Sequence, residues 1–401
     1  MDASKCSVVV GGHLCIDIIM GFSSGQSHDV EVFRPGGLTI VGTPTVSTGG
    51  VVSNTGLSLV RLGVPVALVG KVGDDPFGRL VVERVNEEGQ GLSKWVRAVP
   101  GEVTSYTIVL NPPGTDRIFF HCPGANDTFA DADVPDEALE TALIFHLGYP
   151  PIMRGLYADG GASLAKLFER ARRRGAITSL DMALPDPKGD SGAVDWEAYL
   201  AEVLPHVDLF MPSVEEFLFM LDRAQFAALN DAGGAEAIIG ELTLAHIGKL
   251  ADRALEMGCR GVLVKLGDRG VYLKTSAQFE GVANLMDPAI WRAREIYSPV
   301  FHVDRVAGTT GAGDTTIAGF LASIYHRLAP VEAVTMAVAV GACSVEQPDA
   351  VSGVRTWAQT RTRIESGWAK NSVSVDEPGW RVEGSLWTRQ PTSDSVDQVH
   401  L

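Results

Sequence analysis

Several features that would place this chain in a common functional class are missing from its sequence. The five cysteines are scattered and form no Cys-x-x-Cys pair, which argues against a disulfide framework or a zinc site. No Gly-x-x-x-x-Gly-Lys-Ser/Thr motif is present, and no Gly-x-Gly-x-x-Gly motif follows the first predicted strand. The sequence therefore favours neither a P-loop nucleotide site nor a nicotinamide-dependent oxidoreductase.

Basic side chains are also scarce relative to acidic ones. The sequence has 33 Lys and Arg against 49 Asp and Glu, a formal net charge of −16. Nucleic acids and anionic membranes require a positive face, so neither is expected as a partner. The apolar run at 8–10 is too short for a signal peptide or a membrane span. We expect a cytoplasmic protein that acts on small molecules.

Short β-branched runs alternate with amphipathic helical stretches along most of the chain. Strands are predicted at 7–10, 66–70, 143–147, 177–181, 209–211, 261–265 and 270–274. Helices are predicted at 55–62, 78–88, 163–174, 195–204, 242–257, 313–328 and 331–345. This alternation predicts a mainly parallel sheet covered by helices on both faces. Ligands of such sheets bind beyond the carboxyl ends of the strands.

Three segments depart from this alternation. Segments 21–50 and 101–125 are rich in Gly, Pro, Ser and Thr and contain strand-like pieces at 30–33, 104–110 and 117–121. They are predicted to form a small β lid over the site, with plain surface loops as the alternative. The third segment, 371–401, is polar and acidic and is expected to be weakly ordered, although its two tryptophans, Trp380 and Trp387, offer a means of docking.

The most informative motif is Gly311-Ala312-Gly313-Asp314, which lies directly before an apolar helical stretch. A helix N-terminus attracts anions, and glycines allow an anion to approach the backbone. A carboxylate at such a place would repel a phosphate unless it serves to take a proton from an attacking hydroxyl. The motif therefore indicates phosphoryl transfer, and simple capping of the helix by Asp314 is the alternative.

These residues resemble the C-terminal signature of the ribokinase/PfkB family of carbohydrate kinases. Two stretches, 49–54 with its Gly49-Gly50 pair and Asn54, and 67–78, resemble the N-terminal signature. Residues 264–271 resemble the strand–turn–strand beside the nucleotide. The resemblance spans about 7–355. It implies an α/β, ribokinase-like three-layer sandwich with a mainly parallel central sheet and a small β lid, formed by residues 1–370. The implied activity is ATP-dependent phosphorylation of a hydroxyl, most simply a primary one, of a sugar or sugar-like polyol.

The resemblance also implies roles for individual residues. Asp314 matches the catalytic base, and Gly311, Ala312 and Gly313 match an anion hole made of backbone N–H groups. Asp17, Gly50 and Asn54 match sugar-binding positions, although a loop cap and a helix N-cap are the alternatives for Asp17 and Asn54. The positions that match the nucleotide side are Lys265, Gly267, Gly270 and Thr310. Lys265 is alternatively a simple strand-end charge.

Some positions depart from the family pattern. An Asp linked to a monovalent-cation site is replaced by Gly308, with Asp304 four residues earlier, so dependence on a monovalent cation stays open. Of the Asn-x-x-Glu element associated with Mg²⁺, Glu216 is retained while the Asn is Ser213, so Glu216 is expected to act on the metal through water. The alternatives are a nucleoside kinase of the same fold and a catalytically weak sugar- or nucleotide-binding regulator.

Two further features concern the lid. Alternation along 117–121 places Phe119 and His121 on one strand face, and this face is predicted to touch the acceptor. The apolar residues of this strand predict a homodimer that pairs through the lids. Gly21-Phe22-Ser23-Ser24-Gly25 matches a serine-hydrolase pattern, but it opens a polar loop rather than joining a strand to a helix, so hydrolase chemistry is disfavoured.

Overall fold

The computed structural model describes residues 7–21, 35–110, 118–280 and 285–389. The strands are β1 (Ser7–Gly12), β2 (Cys15–Met20), β3 (Thr45–Gly49), β4 (Val66–Gly73), β5 (Trp95–Val99), β6 (Tyr106–Leu110), β7 (Ile118–Cys122), β8 (Ala142–Gly148), β9 (Ile177–Leu180), β10 (Leu209–Phe210), β11 (Gly261–Lys265), β12 (Val271–Thr275), β13 (Glu295–Ser298), β14 (Trp380–Glu383) and β15 (Leu386–Arg389). The helices are α1 (Val51–Arg61), α2 (Pro76–Glu88), α3 (Asp136–Glu140), α4 (Arg154–Tyr157), α5 (Ala162–Arg173), α6 (Trp196–Val203), α7 (Val214–Leu221), α8 (Arg223–Glu241), α9 (Leu244–Glu256), α10 (Pro288–Trp291), α11 (Ala312–Tyr325), α12 (Pro330–Ser344) and α13 (Trp357–Glu365).

One large sheet organises the described chain. Its 11 strands run in the order β14-β15-β13-β12-β11-β10-β9-β8-β1-β4-β5. The strands from β11 to β5 are parallel, and those from β12 to β14 pair antiparallel. The mainly parallel sheet expected from the alternating sequence pattern is therefore present.

Helices cover both faces of this sheet because the side chains of its strands alternate between two apolar cores. In β1, Val9 packs into one core while Val8 and Val10 pack into the other. The first core is closed by helices such as α5, α7 and α9, and the second by α1, α11 and α12. Three layers result, as the sequence predicted.

A second sheet of four strands has the order β3-β2-β6-β7. Strands β3, β6 and β7 come from the two segments expected to form a lid, whereas β2 lies just before the first of these segments. Strand β2 pairs parallel with β6, while the outer pairs are antiparallel. The strand expected at 30–33 and residue Arg117 lie outside the described residues. Within the described residues, no helix is both long enough and apolar enough to cross a membrane.

The segment after residue 370 differs from its sequence expectation. Weak ordering was expected there, yet β14 and β15 form a hairpin that extends the large sheet by pairing β15 with β13. Trp380 is buried at 8% exposure with its ring 6.1 Å from that of Tyr272, and the Glu377 carboxylate accepts a 2.8 Å hydrogen bond from the Leu244 N–H. Backbone pairing and an aromatic anchor order a segment whose composition alone suggests a tail. Residues 390–401 lie outside the described residues.

Replacing Trp380 with alanine is expected to lower the free energy of unfolding by about 3 kcal/mol, since a large buried ring is lost. Thermal and urea unfolding measure the change. Val382→Ala on the same strand is the control, because Val382 is 62% exposed and its truncation should cost little. Equal stability of the two variants would contradict docking of the hairpin.

Candidate active site

The carboxyl ends of neighbouring parallel strands meet where several polar residues follow them. Tyr149 comes directly after β8, Asp181 after β9, Ser213 shortly after β10, and Lys265 ends β11. The N-terminus of α11, with Asp314 in its first turn, completes this edge. The position is the one that the sheet topology predicts for ligands.

Asp314 is buried and held by hydrogen bonds from two elements. Its Oδ2 accepts from Asn54 Nδ2 at 3.0 Å and from the Tyr149 hydroxyl at 2.8 Å. The hydroxyl of Thr55 lies 3.4 Å from Oδ1 and 3.3 Å from the Asp314 carbonyl oxygen. Burial raises the pKa of Asp314, while the Asn54 bond, the positive charge of Lys265 and the Tyr149 and Thr55 bonds oppose that rise. Its side chain is held by other elements and does not cap its own helix.

The Gly311–Gly313 turn brings the chain into α11. Gly311 adopts φ 69° as the N-cap, and a Cβ there would collide with Ala350. The Ala312 N–H donates to the Thr309 carbonyl at 3.2 Å. The N–H groups of Gly313 and Asp314 lie in the first turn of α11, where a helix leaves its N–H groups without an i−4 partner inside the helix and where anions bind. Thr310 precedes this turn and is half-buried.

Lys265 lies beside this helix start. Its amine pairs with Asp181 Oδ1 at 2.5 Å, and a Cβ added to Gly313 would lie 3.7 Å from Nζ. Burial alone would lower the pKa of Lys265, but the carboxylates of Asp181, Glu216 and Asp314 raise it, so the amine stays charged. Burial raises the pKa of Asp181, against the opposing effect of Lys265. The contacts of Lys265 thus exceed those of a simple strand-end charge.

The other predicted nucleotide-side glycines shape the turn after β11. Gly267 has φ 57° and Gly270 has φ 109°. A Cβ on Gly270 would collide with the Ser298 carbonyl oxygen, so only glycine fits. The turn directly follows Lys265 at the end of β11, so Lys265, Gly267 and Gly270 lie on one stretch of chain.

Glu216 has a structural task in addition to any role in metal binding. Its Oε2 accepts the Ser213 N–H at 2.6 Å, and Ser213 Oγ accepts the Glu216 N–H at 3.3 Å, a capping box for α7. Within the described residues no group of three or more His, Cys, Asp or Glu side chains is arranged to hold a metal. A Mg²⁺ ion bound here would keep most of its water ligands, and a carboxylate oxygen of Glu216 suits such a hard cation.

The position linked to a monovalent cation carries no carboxylate. The Gly308 N–H lies 3.4 Å from the Val345 carbonyl oxygen, and a Cβ on Gly308 would come within 2.8 Å of the Pro348 carbonyl oxygen. The Asp304 side chain is fully exposed and pairs with His302 at 3.5 Å. Asp304 therefore does not fill the place of the missing carboxylate in this structure.

The acceptor-side residues adjoin the lid. Asp17 lies on β2, and the absence of a side chain at Gly49 leaves room for its carboxylate, since a Cβ there would collide with Asp17 Oδ2. Burial raises the pKa of Asp17, and the negative charge of Asp314 adds to the rise. Gly50 has φ 84°, and a Cβ there would lie 2.5 Å from His13 Nδ1. The Gly49-Gly50 pair thus lets two polar side chains approach the start of α1.

A line of rings joins the lid to the base. His121 on β7 lies with its Nε2 3.4 Å from His13 Nε2, and its Nδ1 is 3.1 Å from the Thr107 hydroxyl. The His13 ring is in turn 5.9 Å from that of Tyr149, which bonds Asp314. Burial lowers the pKa of His13 to about 3 and lowers that of His121, so both rings are neutral near pH 7. Phe119, on the same strand, is 55% exposed, and its contact with an acceptor stays a prediction.

Sequence reasoning assigned no role to three residues of this site. His13 and Tyr149 belong to no signature stretch, and Asp181 is simply the last residue of the strand predicted at 177–181. The signal that could have found them is positional, because each lies at or shortly after the end of a predicted strand of the parallel sheet. Their partners became visible only with the fold.

Comparison with known proteins identifies the family of this chain. Residues 7–357 match the pfkB family of carbohydrate kinases. The chain belongs to this family. It is 26% identical to the 2-dehydro-3-deoxygluconokinase of Bacillus subtilis (strain 168) over 329 residues, which cover 80% of this chain and 87% of the relative. The family assignment makes the protein an ATP-dependent sugar kinase.

Solved structures show the same fold. The ribokinase of Arabidopsis thaliana in complex with ribose and ATP superposes with a TM-score of 0.65 at 20% identity, covering 89% of this chain and 98% of the ribokinase. An E. coli protein assigned as a ribokinase II, in complex with ATP and Mg²⁺, has a TM-score of 0.65 at 20% identity, covering 90% and 99%. The fold is therefore ribokinase-like, as the sequence motifs implied.

Proposed function

We propose that this carbohydrate kinase transfers the γ-phosphoryl group of ATP to a hydroxyl, most simply a primary one, of an uncharged sugar or polyol. The observation that carries the proposal is the buried Asp314 carboxylate at the N-terminus of α11, with a charged Lys265 beside the same helix start. A base and a positive charge at one anion-binding helix end are what in-line phosphoryl transfer requires. The ATP and Mg²⁺ present in the related structures support the choice of donor.

In this mechanism the acceptor oxygen forms a bond to the γ-phosphorus as the bond from that phosphorus to the β,γ-bridging oxygen breaks. The acceptor proton passes to Asp314, and the products are ADP and a sugar phosphate. Lys265 and the N–H groups of Gly313 and Asp314 stabilise the charge on the transferred group. Mg²⁺, held through water by Glu216, would offset the charge of the phosphates.

The acceptor is proposed to be uncharged because of the groups that surround it. Asp17 and Asn54 offer acceptors and a donor to vicinal hydroxyls, and Asn54 Oδ1 is buried without a protein partner. His13 and His121 are neutral, so among these described residues no cation faces a substrate carboxylate. An acidic sugar would place its carboxylate near Asp17 and Asp314, where like charges repel. This acceptor differs from the one in the name of the B. subtilis relative.

An acceptor panel tests the proposal. Formation of ADP is measured with D-ribose, D-fructose, ribitol, inosine and 2-dehydro-3-deoxygluconate, after a thermal-shift screen of each with a non-hydrolysable ATP analogue. We expect a neutral sugar or polyol to exceed 2-dehydro-3-deoxygluconate in kcat/KM by about a hundredfold, since an uncompensated charge is costly. A preference for the acidic sugar would overturn the acceptor class, and preference for inosine would indicate a nucleoside kinase.

A homodimer through the lids stays a proposal. Phe119 and Phe120 on β7 are 55% and 45% exposed, so the described lid presents apolar surface. Sedimentation of the full chain at micromolar concentration would decide it, and a monomer would contradict it.

A further inference from the structure

Tyr149 has an unusual backbone conformation for a bulky residue. It adopts φ 69°, in the left-handed region, directly after β8. Such a conformation is unfavourable for a non-glycine residue, and it persists where surrounding structure imposes it. Its N–H points to the Asp181 carbonyl oxygen at 3.3 Å, which ties it to the end of β9. The strain lies at the site itself, which suggests a functional constraint on this residue.

The Tyr149 hydroxyl makes the hydrogen bonding of the two carboxylate oxygens of Asp314 unequal. Its hydroxyl and the Asn54 amide both donate to Oδ2, at 2.8 and 3.0 Å. Among the described residues, Oδ1 has only the Thr55 hydroxyl at 3.4 Å, a distance at the edge of hydrogen bonding. A carboxylate oxygen that already accepts two bonds is a poor proton acceptor, so Oδ1 is the atom left to accept a proton.

The ring of Tyr149 also reaches the acceptor side. It lies 5.9 Å from the His13 ring, which lies 5.2 Å from the His121 ring of the lid. One residue therefore contacts both the base and the line of rings that leads to the lid. A substrate between Asp17 and Asp314 would contact the rings of Tyr149 and His13.

We propose that Tyr149 is a positioning residue, whose hydroxyl holds Asp314 Oδ2 so that Oδ1 faces the acceptor hydroxyl. Its ring and that of His13 form the wall against which the acceptor packs. The inference rests on the proposed function, in which Asp314 is the base.

The charged groups around Asp314 set the sign of the expected pH effect. Asn54 and Thr55 donate from α1, the positive charge of Lys265 comes from β11, and the like charges of Asp17 and Asp181 come from the lid and from the end of β9. Burial raises the pKa of Asp314, and the Tyr149 bond opposes that rise. Removing this hydroxyl therefore raises the pKa of the base further, and activity is lost at a higher pH as the pH falls.

Tyr149→Phe tests the inference. With the best acceptor of the panel we expect kcat to fall about tenfold or more, the KM for ATP to stay within about twofold, and the acid limb of the kcat profile to move up by about half a pH unit or more. Tyr199→Phe is the matched control, because this buried tyrosine donates to the Leu156 carbonyl at 3.1 Å, away from Asp314. It should leave kcat and the acid limb unchanged. A merely structural role of Tyr149 would not move the acid limb.

A second readout does not need an acceptor. Infrared difference spectra follow the protonated carboxyl band of Asp314, identified by its absence in Asp314→Asn, as the pH is lowered. The band should appear at a higher pH in Tyr149→Phe than in the wild type. If no acceptor is phosphorylated, the proposed function fails, while this titration still decides whether Tyr149 holds Asp314.

The outcomes that overturn the inference are definite. Unchanged kcat with an unchanged acid limb in Tyr149→Phe would remove Tyr149 from the positioning of the base, and so would an unshifted infrared titration. Tyr149→Asn is the second variant, because asparagine tolerates the left-handed conformation but lacks the hydroxyl that donates to Asp314. It should reproduce the kcat loss of Tyr149→Phe, and wild-type kcat in Tyr149→Asn would also overturn the inference.

Discussion

Asp314→Asn is expected to lower kcat by about a hundredfold or more while ATP still binds. Asparagine keeps the size of the side chain, but it cannot take the proton of the acceptor hydroxyl. The wild-type kcat should also fall as the pH drops through the pKa of Asp314, which burial raises above that of an exposed aspartate, because the protonated acid is no base. Steady-state kinetics and calorimetric ATP titration measure the two effects.

The control for Asp314→Asn is Asp231→Asn, a substitution at an exposed position of α8 that leaves the base intact. It should retain kcat within about twofold, as expected of a surface change. Near-wild-type turnover of Asp314→Asn with any confirmed acceptor would exclude Asp314 as the base. Loss of ATP binding together with turnover would instead indicate a structural role at the start of α11.

Lys265→Met is expected to lower kcat by about a hundredfold and to raise the KM for ATP. The substitution removes the positive charge beside Gly313, where the transferred phosphoryl group is proposed to lie. It also leaves the Asp181 carboxyl buried without its 2.5 Å partner. Breaking a buried pair in this way costs about 3–5 kcal/mol of folding free energy unless the carboxyl takes up a proton.

The loss of stability in Lys265→Met should depend on pH. Burial raises the pKa of Asp181 in the folded state above its unfolded value, so stability falls as the pH rises from the unfolded pKa toward the folded pKa, and the full penalty of the unpaired charge is present above the folded pKa. Lys265→Met/Asp181→Asn should recover stability at high pH but not kcat. Lys274→Met is the control, since Lys274 on the neighbouring strand β12 pairs at 2.6 Å with the half-exposed Asp252 of helix α9 and should matter little to turnover. Equal kcat in Lys265→Met and Lys274→Met would contradict the proposed role of Lys265.

Local patterns in the sequence were sufficient to predict the central layers of the fold. Strands such as 66–70 and 261–265 and helices such as 242–257 are strongly periodic, and the structure has elements there. The hairpin of β14 and β15 was missed because it is stabilised by pairing with β13. The local sequence of two short polar strands does not predict such a long-range contact. Helix α7, next to Ser213, was also missed, because its mostly apolar sequence lacks a polar face.

In the candidate site, too, local features could be predicted from the sequence and long-range contacts could not. Glycines and carboxylates in fixed spacing could be read from the sequence, because backbone turns and anion sites demand particular residue types. The Tyr149–Asp314 contact joins residues 165 positions apart, and the Lys265–Asp181 contact joins residues 84 apart. Such pairings depend on strand order, which no local pattern specifies.

Isotope transfer tests the central claim most directly. ATP carrying ¹⁸O in its γ-phosphoryl group is incubated with Mg²⁺, the wild-type enzyme and the best neutral acceptor of the panel, and the products are weighed by mass spectrometry. The account predicts a sugar phosphate that carries the labelled group, formed by the wild type and reduced about a hundredfold or more in Asp314→Asn. Label found only in inorganic phosphate, or equal labelling of the sugar by both proteins, would contradict it.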